Sequence, residues 1–94
     1  MLNRIILIGR LTRDPEMRYT SNGTAFTRFT LAVDRPYKDQ NGEKMTDFIN
    51  IVTWQKLAEH CAQYLHKGQL VAVEGSLQIN KREKDERTYI FPDV

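Results

Sequence analysis

From Asp47 to Trp54 the chain reads DFINIVTW, and its polarity alternates with the two-residue period of a β-strand. Ile49, Ile51 and Thr53 fall on one side, Phe48, Asn50, Val52 and Trp54 on the other. The first side has the composition of a core face. The second combines two large rings with an amide, which suits either further core packing or a platform on which unpaired bases stack. Directly after Trp54 the period changes. Leu57, Cys61, Tyr64 and Leu65 recur at i, i+4, i+7 and i+8, an amphipathic helix with Lys67-Gly68 as its stop signal.

The rest of the chain predicts four more strands. Arg4–Gly9 (RIILIG) is apolar on both faces, so one face can meet the domain core while the other needs a cover. A second copy of the chain suits that role, with Ile6 and Ile8 as candidates for an isologous contact. Asp14-Pro15 and Ser21-Asn22-Gly23 mark turns, and Ala25–Val33 alternates, with Phe29, Leu31 and Val33 opposite Phe26, Arg28 and Thr30. Asp34–Thr46 lacks periodicity, and its Asn41-Gly42 pair between Lys38 and Lys44 predicts a long exposed hairpin arm with a tight turn. Tyr37 on that arm stands among the cations Arg35 and Lys38, which favours a stacking residue over a lone surface ring. Leu70–Gln78 is a fourth strand and Thr88–Val94 begins a fifth, with the charge-dense Asn80–Arg87 as a second exposed hairpin loop.

Five strands with one helix between the third and fourth is the plan of the OB-fold, an all-β Greek-key barrel that binds oligonucleotides or oligosaccharides. Other small barrels share the strand count, but an SH3-like barrel does not ordinarily place a three-turn helix there.

Composition narrows the chemistry. At 94 residues the chain is one domain, and 40% hydrophobic with 28% charged residues is the balance of a soluble globular protein. The longest apolar run, Ile5 to Ile8, is far too short to span a bilayer, and the N-terminus shows no basic-then-apolar leader, so the chain is read as intracellular, with a cytoplasmic location. Cys61 is the single cysteine and lies among apolar helix neighbours, where it reads as packing. His60 and His66 do not share a helix face with acidic residues at ligand spacing, so neither a metal nor another cofactor is expected. No nucleophile–base pair, paired carboxylates or phosphate-cradling glycine loop is visible, which argues against an enzyme. The net charge of +2 is a weak signal for nucleic acid, yet Arg4, Arg10, Arg13, Arg18, Arg28 and Arg35 all fall in the first 35 residues, against Asp14, Glu16 and Asp34.

Three stretches taken together resemble the bacterial single-stranded-DNA-binding protein family of the homotetrameric kind. They are NRIILIGRLTRDPEMRYTSNGTAFTRFTLAV from Asn3 to Val33, DFINIVTWQKLAEHCAQYLHKGQLVAVEGSLQ from Asp47 to Gln78, and, more loosely, TYIFPDV. The resemblance implies an OB-fold that coats unpaired DNA without sequence preference in replication, recombination and repair, as a dimer of dimers around which the strand wraps, in the bacterial nucleoid. It places stacking rings at Tyr37, Phe48 and Trp54, and puts Arg82 where a fourth ring is common; an arginine plane can also stack. Backbone phosphates would meet Arg4, Arg10, Arg18, Arg28, Arg35, Lys56 and Arg82. Family members continue past the fifth strand into a flexible linker and an acidic tip that recruits repair and replication enzymes. The expectation is therefore a DNA-binding core, residues 1–94, without recruitment through a tail. The alternative is a dimeric OB-fold adaptor of a replication-restart assembly, in which nucleic-acid binding is secondary.

Overall fold

Both apolar alternations become the inner face of a barrel. The computed structural model describes the backbone of residues 1–82 and 85–92, and the side chains of residues 1–79 and of Ile90. Its elements are β1 (Ile5–Leu11), β2 (Glu16–Tyr19), β3 (Ala25–Lys38), β4 (Lys44–Trp54), α1 (Gln55–Tyr64), β5 (Leu70–Arg82) and β6 (Asp85–Pro92). The sheet runs β1-β5-β6-β4-β3-β2, and a further β1–β3 pairing closes five of the strands into the OB barrel, leaving β2 as a flap on β3. All pairings are antiparallel except β4–β6. Leu11, Phe29, Leu31, Ile51, Cys61, Val73 and Ile90 form the core, with Ile5, Leu7, Val33, Ile49, Leu57, Leu65 and Val71 packed around it.

The helix plugs one end of the barrel. Ala58 and Cys61 are its buried residues, and the buried Thr27 hydroxyl donates to the Ala58 carbonyl at 2.8 Å, tying α1 to the start of β3. Burial pushes the Cys61 thiol up, which suits packing rather than reactivity. Tyr64, which the helical spacing assigned to the inner stripe, is 57% exposed and packs on His60 at 4.7 Å instead. Ala58 and Cys61 hold the buried positions, with Leu57 and Leu65 packed against the core beside them.

Two further features depart from the sequence reading, and a third refines it. First, β2 was not foreseen: all four of its residues are exposed, so it carries no burial alternation, and its ladder to β3 supplies the order. Second, residues 80–82 and 85–87 are paired strand rather than loop, with the ladder running to Arg82–Asp85. The backbone pairs there although the charge-dense sequence shows no two-residue period. Third, the turns expected at the Asn-Gly pairs are present, and their type, which the sequence reading left open, is not the two-residue one. In both hairpins four residues turn, Thr20–Gly23 and Asp39–Gly42, with the glycine amide donating to the first carbonyl (2.9 and 3.0 Å). Only the glycine has a positive φ (82° at Gly23, 75° at Gly42), the pattern of a type I turn followed by a glycine bulge. Thr20 Oγ1 and Asp39 Oδ1 accept amide hydrogens within these turns and brace them.

Closure is tightest where β1 crosses from β5 to β3. A Cβ at Gly9 would stand 2.4 Å from the Ala32 carbonyl oxygen, a backbone atom with no room to retreat. Gly9→Ala is therefore expected to destabilise the fold by about 1–3 kcal/mol, the range for forced overpacking. Urea unfolding followed by far-UV circular dichroism reads this as a lower midpoint.

Candidate nucleic-acid interface

Residues directly opposite in an antiparallel ladder point to the same side, so the register orders the outer face into rows. One row is Arg18, Phe26 and Trp54 across β2, β3 and β4. The next is Glu16, Arg28 and Val52, followed by Thr30 with Asn50. The last is Arg10, Ala32 and Phe48 across β1, β3 and β4. The two rings of β4 thus stand at opposite ends of one outward face, with polar and cationic side chains between them.

The rings differ in their support. Phe48 is 68% exposed beside the small Ala32. Trp54 is 42% exposed and rests against Phe26, with ring centroids 5.4 Å apart and a 37° tilt. The Arg28 guanidinium lies 5.3 Å above the Phe26 centroid, so a cation, a phenyl and an indole form a continuous packed run. Phe26 was absent from the ring set read from the sequence. Its shared parity with Arg28 and Thr30 was the available signal, but only the register shows that it stands opposite Trp54.

Along this face, on the Phe48 side, an open groove of about 570 Å³ is lined by Thr12, Asp14, Arg28, Thr30, Phe48 and Asn50, among others. The Thr30 hydroxyl donates to Asn50 Oδ1 at 3.4 Å, and among the described residues the Asn50 amide donates no side-chain hydrogen bond. Val52, assigned by alternation to the same open face, is only 5% exposed. Arg28 of β3 stands directly opposite it in the ladder, with Glu16 of β2 beyond in the same row.

Tyr37 lies apart from this face, on the hairpin arm, and is 58% exposed. The register breaks between Asp34 and Lys38, so strict alternation does not carry the β4 face onto the arm. At the root of the arm Arg35 bonds Asp47 fork to fork, Nε to Oδ2 and Nη2 to Oδ1, both at 2.9 Å. The pair holds Asp47 below the usual carboxylate range, chiefly through this hydrogen bond, and fixes Arg35 still more firmly in its charged form, with the Tyr37 hydroxyl contributing.

The remaining cations occupy varied settings. Arg18 donates through Nε to Glu16 Oε1 at 2.6 Å, and Arg4 pairs with Glu74 on β5. Arg10 donates through Nη1 to the Gly68 carbonyl at 3.0 Å, which turns part of its fork away from Phe48. Lys56 is exposed on the first turn of α1, two residues after Trp54. Arg82 falls at the end of β5, and its side chain lies outside the described residues. Ile6 and Ile8 project from β1 at 63% and 62% exposure, beside Glu74 and Ala72 and in line with the exposed Leu70. Among the described residues no group of three or more His, Cys, Asp or Glu could hold a metal ion, and no helix is long and apolar enough to cross a membrane.

A barrel with this strand order, carrying rings and cations on its β3–β4 face, is matched over residues 2–90 by the sequence model of the Single-strand binding protein family. The chain belongs to that family. It is 54% identical over 91 residues to the single-stranded DNA-binding protein of Halalkalibacterium halodurans, covering 97% of this chain and 54% of the relative. It is 67% identical over 78 residues to that of Caldanaerobacter subterraneus, covering 83% and 52% respectively. Single-stranded DNA-binding protein A of Bacillus subtilis is 52% identical over 91 residues, 97% of this chain and 53% of the relative. The crystal structure of the wild-type single-stranded DNA binding protein from Thermus aquaticus superposes with a TM-score of 0.77 at 35% identity, covering 99% of this chain and 38% of that one. The chain thus spans about half the length of the curated relatives it matches.

The unequal support of the two rings is measurable without any ligand. Phe48→Ala removes an exposed ring and should leave folding stability within about 0.5 kcal/mol of the parent. Trp54→Ala breaks the contact with Phe26 and should lower stability by about 0.5–1.5 kcal/mol, the worth of an aromatic pair beyond its area. Urea melts of the two variants separate these outcomes.

Proposed function

We propose that this domain binds single-stranded DNA without sequence preference and protects it during replication, recombination and repair. The observation that carries the reading is the β3–β4 outer face, where Phe48 and Trp54 stand exposed at its two ends and a groove lined by Phe48, Arg28, Thr30 and Asn50 runs along it. Every base has a stacking face, so exposed rings hold bases of any kind, and cations meet the backbone between them. Phe48 and Trp54 are the stacking residues on the barrel, and Phe26 is the backing that holds Trp54. Tyr37 extends the path onto the arm. Arg28, Lys56, Arg10, Arg18, Arg35, Arg4 and Arg82 are the phosphate contacts. The relatives' names as single-stranded DNA-binding proteins support this reading. The domain binds rather than catalyses, and its place is the cytoplasm, on the nucleoid.

Titration with oligothymidylate should quench Trp54 emission to saturation, because the indole is the chain's single tryptophan and a base would stack on it. Affinity should fall with salt, with a slope of about −0.7 for each phosphate contact on a single strand. Phe48→Ala should weaken binding by about 1–3 kcal/mol, the range measured for OB-folds of this very kind. A preference for duplex, or an affinity indifferent to salt, would remove the reading.

The assembly we propose is a homotetramer, a dimer of dimers. Ile6 and Ile8 on the outer face of β1 are the isologous contact, since two large exposed aliphatic side chains in line with Leu70 make a patch that a second copy covers. Ile6→Lys would place a charge in that contact and should shift sedimentation from tetramer toward smaller species. A variant that still sediments as a tetramer reassigns the face, and a parent that sediments as a dimer favours the adaptor.

A further inference from the structure

Asp47 immediately precedes the stacking ring Phe48 on β4, yet its carboxylate is turned to Arg35 on the neighbouring strand. Among the described residues this is the ion pair in which two guanidinium nitrogens meet two different carboxylate oxygens; Arg18 brings both its donors to a single oxygen of Glu16. The two side chains are 37% and 47% exposed, so solutes reach the pair from outside. A phosphodiester presents a guanidinium with the same two-oxygen edge as a carboxylate. Asp47 therefore fills the fork that a backbone phosphate would take.

Its neighbours do not supply another purpose for the pair. Asp34 is held by the Thr46 hydroxyl at 2.7 Å, and Lys38 and Lys44 lie across from each other further along the arm. The arm stands outside the core, and exposed ion pairs add little to folding. The exposed Tyr37 follows Arg35 by two residues on the same arm.

We infer that Asp47 is an internal competitor for phosphate at Arg35: it holds the fork in the free chain and yields it when a strand lies along the arm. The inference rests on the proposed binding of single-stranded DNA and deepens it, because it makes Asp47 the residue that sets the affinity and salt response of the arm. An arginine already closed on a carboxylate offers less to a passing anion than a free one. A strand gains the contact only by displacing Asp47, so Arg35 contributes to binding less than its charge suggests.

The test is a cycle of four chains: the parent, Asp47→Asn, Arg35→Ala and the double variant. Each is titrated with oligothymidylate at several salt concentrations by Trp54 quenching. Asp47→Asn keeps the shape of the side chain and should bind about two- to five-fold more tightly at low salt, the ratio that corresponds to one exposed ion pair. Arg35→Ala should bind more weakly, with a salt slope shallower by about 0.7. In the Arg35→Ala background, Asp47→Asn should have no effect. Weaker binding by Asp47→Asn would overturn the inference, showing that the carboxylate orders the arm rather than competing. An equal gain in the Arg35→Ala background would overturn it as well, since the carboxylate would then act through its field alone. Flat titrations with all four chains would remove the function and the inference together, whereas a binding parent with a weaker Asp47→Asn removes the inference alone.

Discussion

The ladder between β3 and β4 runs without a break from Phe26–Trp54 to Asp34–Thr46, and the rest of the molecule is arranged by that register. On the inner side it brings Thr27, Phe29 and Leu31 against Thr53, Ile51 and Ile49. On the outer side it brings Phe26 to Trp54, Thr30 to Asn50 and Ala32 to Phe48. A slip by one residue would turn every side chain over, exposing Ile51 and burying Asn50, so the energy that fixes the core also fixes the spacing of the outer rings. The platform has no separate source of order. Its rigidity is borrowed from residues of the opposite face, such as Leu31 and Ile51, whose exposure is zero.

A net charge of +2 understates how selectively the cations are deployed. Arg4, Arg18 and Arg35 are each closed on a carboxylate, and Arg10 is partly committed to a backbone carbonyl. Arg28 instead lies over Phe26 and keeps its hydrogen-bonding edge open. Counting arginines in the first 35 residues therefore overstates the free charge, while the packing of one of them on a ring concentrates what is left at the platform. Mixed pairing of this sort keeps the surface from repelling itself, at little gain in folding stability.

What was legible in the sequence follows what each signal measures. Alternation at Ala25–Val33 and Asp47–Trp54 reports burial, and both strands and their inner faces lie where it puts them. The helix was legible for the same reason. Elements ordered by backbone pairing left no such trace: the four residues of β2 are all exposed, and the paired stretch around Arg82 and Asp85 shows no alternation in its sequence. Val52 and Tyr64 went astray because periodicity gives a direction but not what stands there. Val52 points outward yet is buried in the row of Arg28 and Glu16, while Tyr64 is exposed on a helix whose buried residues are Ala58 and Cys61. The Arg35–Asp47 pair was equally hidden, since twelve residues and a turn separate its members in sequence and only the hairpin brings them together. The Asn-Gly pairs announced turns correctly, but the same dipeptide serves two turn types, and the braces from Thr20 and Asp39 favour the longer one.

The junction at Trp54 shows how the helix takes part in shaping the outer face. β4 passes into α1 with no intervening loop: Trp54 is both the last strand residue and the helix N-cap, and its side chain offers no capping hydrogen bond. Gln55 then adopts φ 58°, a left-handed conformation that a residue with a Cβ occupies at a penalty of about 1–2 kcal/mol. A helix entered through strain and without a side-chain cap must be held by its packing, and Ala58, Cys61 and the Thr27 hydroxyl supply that hold. The sharp reversal at Gln55 lets the chain leave the sheet at once, so that α1 folds under the barrel while the indole stays above β3 against Phe26. The strain at Gln55 is thus offset by core contacts on the inner side, and its product is an exposed ring at the very end of a strand, where a longer connection would have left the position free to move.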